Sequence, residues 1–164
     1  MIKLRALEPD DVDILFAVEN DTAFWAVGNT NMPYSRQFLC NYILSTTGDI
    51  YTDKQLRLVI ERDDEPVGLI DLSSFDPRNL RAELGIIIIR EHQNKGIAQE
   101  AIRQIEEYAT DVLHMHQLYA IIAEDNMPSL RLFNKCSFTC KSTLTDWLID
   151  GKSYKNALVY QKIL

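Results

Sequence analysis

Polar and apolar residues alternate from Ile2 to Leu7, and that two-residue period predicts a strand. Glu8-Pro9-Asp10-Asp11 then places a proline and acids where a helix starts. Val12, Leu15, Phe16 and Glu19 continue at helical spacing. Residues 20–32 are rich in Asn, Thr and Gly and carry Phe24 and Trp25. They are expected to be mostly irregular, with room for one helical turn. Pro33 to about Leu44 reads as a second helix, with an apolar face of Phe38, Tyr42 and Ile43. Leu56 to Glu61 and Pro66 to Ser73 read as strands of a hairpin turned at Asp63-Asp64. A further turn is expected at Asp76-Pro77-Arg78-Asn79. Ala82 to Ile89 is a strand whose unbroken isoleucine run predicts burial on both faces. Gly96 to Val112 is amphipathic, with Ile97, Ala101, Ile105, Tyr108 and Val112 on one side. Leu118 to Ala123 is the next strand. Asn126-Met127-Pro128-Ser129 opens a helix that runs to about Lys135. Phe138 to Leu148 and Ser153 to Lys162 are strands joined at Asp150-Gly151.

The resulting order is β-α-α-β-β-β-α-β-α-β-β. It predicts an α/β fold in one domain over residues 1–164, with a mixed sheet of about seven strands and about four helices. The long helix between two strands is a right-handed crossover, so its flanking strands are expected to be parallel neighbours.

Composition narrows the function. With 46% hydrophobic residues, the 164-residue chain has material for a sizeable core. Its formal net charge of -7 argues against nucleic acid as a partner, because phosphate contacts need clustered Lys and Arg. A cationic substrate is compatible with that charge. Cys40, Cys136 and Cys140 form no disulfide framework and are expected to be reduced and packed. His92, His114 and His116 make no helical ligand pair, so no metal is expected. The start of the chain has no long apolar stretch, and no run is long enough to span a bilayer. The expectation is a cytoplasmic protein with no membrane partner. Asp146, Asp150 and the Glu106-Glu107 pair read as solvated.

The most informative segment is Gln93-Asn94-Lys95-Gly96-Ile97-Ala98, a glycine-bearing turn between a strand and a long helix. Such a turn leaves backbone N–H groups free at a helix N-terminus, where the macrodipole favours an anion, above all phosphate. Lys95 adds a mobile cation. A second helix start, at Asn126, follows the next strand. If the strands are parallel, both helix starts share one sheet edge, where ligands bind in open α/β sheets.

The turn resembles the acetyl-CoA pyrophosphate loop of the GNAT superfamily of N-acetyltransferases, [Gln/Arg]-x-x-Gly-x-[Gly/Ala]. Asn126-x-x-Ser129-x-x-Leu132-Phe133-x-Lys135-x-Ser137-Phe138 is similar to that family's second motif, Asn-x-x-Ser/Ala-x-x-Leu-Tyr-x-Lys-x-Gly-Phe. Arg81-Ala82-Glu83, Glu91-His92-Gln93 and Asp150-Gly151-Lys152-Ser153-Tyr154 resemble the spermidine and diamine acetyltransferases and the ribosomal-protein N-terminal acetyltransferases. The resemblance implies direct transfer of acetyl from acetyl-CoA to an amine. Backbone groups of Ile86, Ile87 and Ile88 would pair with the pantetheine arm. The amides from Gln93 to Ala98 would hold the pyrophosphate, and Phe133 would border the cofactor. Asn126 would contact the cofactor or act only as a helix cap. Glu83 would take the amine proton or bind the amine, or else pair with a nearby Arg on an exposed face. Phe24 and Trp25 would line the acceptor pocket or join the core.

Two departures stand out. Phe133 occupies the position of a tyrosine that protonates the departing thiolate in many relatives, and Phe cannot donate a proton. Ser129, one helical turn earlier, or a water is left for that role. Ser137 replaces a usual glycine. The implied acceptor is a polyamine or diamine, although residues 23–33 lack the acids that polyamine enzymes often carry there. A protein N-terminus and an amino sugar are other acceptors, and a non-catalytic acyl-CoA-binding module is the other class. A homo-oligomer is a further expectation.

Overall fold

The Asp63-Asp64 turn folds the chain tightly, with both residues at positive φ (53° and 67°), as a two-residue hairpin of matching twist requires. It joins β2 (Leu56–Arg62) to β3 (Glu65–Asp76). The computed structural model describes residues 1–25 and 32–164. The other strands are β1 (Ile2–Ala6), β4 (Arg81–Ile88), β5 (Gln117–Ala123), β6 (Thr139–Asp150) and β7 (Ser153–Ile163). One seven-stranded sheet results, in the order β1-β2-β3-β4-β5-β7-β6. The described helices are α1 (Val12–Glu19), α2 (Thr22–Trp25), α3 (Arg36–Ser45), α4 (Ile50–Asp53), α5 (Ile97–Asp111) and α6 (Met127–Lys135). The described segments thus hold six helices, against about four expected. The additions are single turns at 22–25 and 50–53, too short for a periodic signal. Residues 26–31 of the 20–32 stretch lie outside the described residues.

The sheet is covered on both faces. Ile60, Ile70, Leu84 and Ile88 pack with Ile97, Ile102 and Ile105 of α5. Val59, Leu69 and Ile87 pack on the other face, against Leu15 and Val18 of α1 and Leu39 and Ile43 of α3. The isoleucine run of β4 therefore meets apolar layers on both faces, as expected. Of the apolar face expected on α3, Ile43 is buried and Tyr42 packs against the same layer, together with Leu39, whereas Phe38 is exposed and stacks on Tyr34. On α5, Val112 lies beyond the last helical residue and is exposed. Glu106 is another correction. It is largely buried and pairs with Lys162 of β7 at 2.7 Å, whereas Glu107 faces solvent. Tertiary contact with the edge of β7 turns a wet helical position into an ion pair. The thiols are unpaired, but Cys140 is exposed on β6 rather than packed. No described helix is long and apolar enough to cross a membrane.

The strands flanking α5 are parallel neighbours, but only briefly. Arg81, Ala82 and Glu83 of β4 pair with Gln117, Leu118 and Tyr119 of β5, and no later pair follows. β4 stays bonded to β3 up to Ile88, and β5 stays bonded to β7 up to Ala123. The two halves of the sheet therefore diverge beyond Glu83 and Tyr119. This fork is the feature that organises the site.

Candidate active site

The fork exposes one backbone edge of β4. In an antiparallel ladder, alternate residues bond to the neighbour and the rest point away. The Ile89 N–H donates to Val67 O at 3.0 Å, and that fixes the alternation. Glu83, Gly85 and Ile87 bond toward β3, whereas Leu84, Ile86 and Ile88 point toward the fork. Gly68 supports this assignment: a Cβ there would meet the Ile87 carbonyl oxygen at 2.3 Å. Ile87 is thus a correction to the expected trio, since its backbone faces β3. The Ile88 carbonyl accepts from Gln93 Nε2 at 2.9 Å. Ile86, with Leu84, is left as the open edge. The backbone of Leu84 shares that edge, which a hydrophobic run does not reveal because it carries no information on ladder alternation.

The turn after β4 has the geometry of an anion cradle. Asn94 and Gly96 both take positive φ (60° and 76°), and Gly96 is the N-cap of α5. The amides of Asn94, Lys95 and Gly96 have no acceptor among the described residues, and Ile97, Ala98 and Gln99 are the first-turn positions that a helix leaves free. Six consecutive N–H groups are therefore left without a partner at the N-terminus of a helix, where the dipole favours an anion such as a pyrophosphate. Ile97 is buried and Ala98 packs against the core, so these two offer amides and anchor the turn. The Gln93 side chain serves Ile88, and Lys95 Nζ bonds the Glu91 carbonyl at 2.7 Å. Lys95 thereby ties the turn back to Glu91 beside the cradle.

Asn126 lies at the matching end of β5, so both helix starts do share one end of the sheet. Its side-chain oxygen accepts from Ser129 N at 3.3 Å, the ordinary cap bond. The Ser129 hydroxyl, half-buried in the first turn of α6, has no hydrogen-bond partner among the described residues. Phe133 is 2% exposed and meets Phe138 edge to face at 5.0 Å between centroids. Its ring is part of the core and carries no proton to give.

Glu83 is the last β4 residue paired across to β5, opposite Tyr119. It is half-buried and makes no ion pair among the described residues, since Arg81 is turned to Asp76. The reading of Glu83 as one half of an exposed Arg pair is not what the structure has. Burial alone pushes its carboxyl above the usual range. Tyr119 is pushed up too, first by burial and then by Glu83. On the same face of the sheet, Asp71 lies opposite Gly85. Arg57 grips Asp71 with two bonds, at 2.6 and 3.1 Å, and reaches Glu19 at 2.8 Å. Burial opposes the Arg57 charge, but Asp71, with Tyr42 and Glu19, outweighs it and raises the guanidinium pKa. No periodicity announces this cluster. Its members come from α1, β2 and β3. Phe24 packs in the α1–α3 layer, and the Trp25 indole N–H donates to the Glu19 carbonyl at 2.7 Å.

Comparisons with known proteins agree with this geometry. Residues 2–139 match the family described as acetyltransferase (GNAT) domain. Spermidine N(1)-acetyltransferase of Escherichia coli (strain K12) is 29% identical over 163 residues, covering 96% of this chain and 83% of the relative. The crystal structure of spermidine N-acetyltransferase from Vibrio cholerae in complex with CoA and spermine superposes with a TM-score of 0.87. It is 25% identical, with 99% of this chain and 95% of that one covered. A dodecameric structure of the Vibrio cholerae enzyme matches with a TM-score of 0.81 at 25% identity, over 99% and 93% of the two chains. A forked sheet with a free-amide turn at its open end, matched by a family model over most of its length, makes this chain a member of the GNAT family of acetyltransferases.

Proposed function

We propose that this N-acetyltransferase moves an acetyl group from acetyl-CoA to a primary amine of a polyamine or diamine. The family uses acetyl-CoA, and the cradle fits its pyrophosphate: six free amides and a lysine at a helix start. In this reading the pantetheine arm runs along the open backbone edge of Leu84 and Ile86, as an added strand would. That path leads from the cradle to Glu83. The observation that carries the proposal is Glu83 itself, an unpaired, half-buried carboxyl where the two halves of the sheet part.

The chemistry then needs two proton movements. The Glu83 carboxylate, directly or through a water, takes a proton from the incoming ammonium. The free amine attacks the acetyl carbonyl, the C–N bond forms, the C–S bond breaks, and the nitrogen gives up its second proton, which passes to the departing sulfur directly or relayed through a hydroxyl or a water. The sulfur leaves as a thiolate and must be stabilised or protonated. Phe133 gives nothing here, so the Ser129 hydroxyl or a water serves. Named relatives that acetylate spermidine support the cationic acceptor, and so does the chain's acidic balance. The dodecameric relative supports assembly of this chain into a homo-oligomer.

An amine panel with acetyl-CoA, read as free CoA released, tests the proposal. Turnover with spermidine, spermine or putrescine and none with peptides is expected. Turnover confined to a peptide amine would move the acceptor to a protein N-terminus. Tight acetyl-CoA binding without turnover on any amine would leave only a binding module.

A further inference from the structure

The sheet itself sets the neighbours of Glu83 on its own face. Paired residues of adjacent strands share a face, about 4.8 Å apart. Glu83 pairs with Ser73 of β3 on one side and with Tyr119 of β5 on the other. Along β4 its neighbours on that face are Arg81 and Gly85. Ser73 is small, Gly85 has no side chain, and Arg81 is turned to Asp76 at 3.4 Å. A Cβ at Gly85 would make only ordinary contacts with Asp71, at 3.8 and 3.9 Å, so the glycine leaves room toward the open end of the fork. Among these neighbours, Tyr119 is the one large ring beside the carboxyl. Tyr119 is itself held. The β3–β4 register slips between Ser73 and Asp76, and Ser74 takes a positive φ of 51° there. Such a bulge re-aims a side chain and is frequent next to active sites. Here the Ser74 side chain reaches the Tyr119 phenol as a hydrogen-bonding neighbour.

We infer that Tyr119 is a positioning residue for Glu83: its ring, tethered at Ser74, screens the carboxyl from water on the β5 side and leaves it open to the fork. The inference rests on the reading of Glu83 as the base. Tyr119 acts through Glu83 and needs no contact with the acetyl group or the amine. Burial is the whole cause of the raised Glu83 carboxyl, with no hydrogen bond or charge taking part. A ring alongside that gives the carboxylate no hydrogen bond produces that kind of shift. The charged groups around the pair are committed elsewhere. Arg81 and Asp76 pair with each other, Asp71 is gripped by Arg57, and Gln161, opposite Tyr119 on β7, bonds Gln117. A carboxylate kept partly out of water holds a proton more firmly and so is the stronger base once ionised.

The test titrates the Glu83 carboxyl in the free enzyme by carbon-13 NMR, assigned with Glu83→Gln, and sets it beside the pH profile of kcat/KM for spermidine. Tyr119→Thr removes the ring while keeping a good strand former, and Tyr119→Phe keeps the ring. Circular dichroism checks folding. In Tyr119→Thr the Glu83 midpoint is expected to fall by about one pH unit. The acidic limb of kcat/KM should move down with it, and the plateau should drop several-fold. Tyr119→Phe should bring midpoint and limb back to the wild-type positions, which a merely structural role for the residue would not require. An ordinary glutamate midpoint in the wild type would overturn the inference with no substitution at 119, and so would an unmoved midpoint in folded Tyr119→Thr. A midpoint that moves as expected, beside a Glu83→Gln variant of undiminished rate, would instead overturn the reading of Glu83 as the base, and the positioning role with it.

Discussion

Glu83 and Phe133 lie on opposite sides of what a residue type can decide. Phe133 is silent in proton transfer wherever it sits, and that was legible from the sequence. Glu83 was only a candidate until the structure left it without a cation and half out of water. Its raised pKa gives a testable pH dependence. As a base it works only when ionised, so kcat/KM should rise with pH through the raised carboxyl value. Glu83→Gln should remove that acidic limb and lower kcat/KM about 100-fold. A Gln variant that keeps both the rate and the limb would dismiss Glu83 as the base. Ser129→Ala separates the roles at the other end. If the hydroxyl serves the thiolate, kcat should fall about tenfold with the acetyl-CoA dissociation constant unchanged. Asn126 is a helix cap by its geometry, and the sequence had shown it could be one.

At the scale of elements, the turn before α5 was the most readable part of the chain. Glycine at a strand-to-helix boundary has few reasons to exist, and φ 76° at Gly96 supplies one. Gly96→Glu adds strain and a negative charge amid the free amides. Acetyl-CoA affinity by calorimetry should fall at least 100-fold while the circular dichroism spectrum persists. The choice of Ile87 went wrong for a physical reason: a hydrophobic run reports burial, but the direction of backbone groups depends on ladder register. The β1–α1 junction carries a second prediction. Arg5 holds the buried Asp11 through bonds at 2.7 and 2.9 Å, and Glu8 N–H adds a third at 2.8 Å. Burial opposes ionisation there, yet Arg5 and the Glu8 amide together outweigh it and the Asp11 pKa is lowered. The stability this confers is present above the ordinary aspartate pKa and is lost as pH falls through the lowered one. Asp11→Asn should therefore show a shallower acid loss of stability. Asp11→Ala should cost about 2 kcal/mol at neutral pH in urea denaturation, because Arg5 and the Glu8 amide lose their partner.

At the scale of the molecule, charge and assembly matter most. If the acceptor is the polycation proposed above, a chain of net charge -7 should bind it less well as salt rises, since screening shortens the reach of its field. The KM for spermidine is expected to climb several-fold between about 20 and 200 mM salt, with kcat steady; a flat KM would mean the field plays no part in capture. The order of the strands and longer helices, the parallel crossover and the glycine turn before α5 were determined by the sequence alone, because period, turn residues and helix-start signals act over a few neighbouring positions. The tertiary structure decided the rest. It parted β4 from β5 after three pairs, aimed Leu84 and Ile86 rather than Ile87 into the fork, sank Glu106 against Lys162, and brought Arg57, Asp71 and Glu19 together from three elements. Each depends on which strands meet and in what register. Contacts between residues far apart in the chain set that outcome, and no local pattern encodes it.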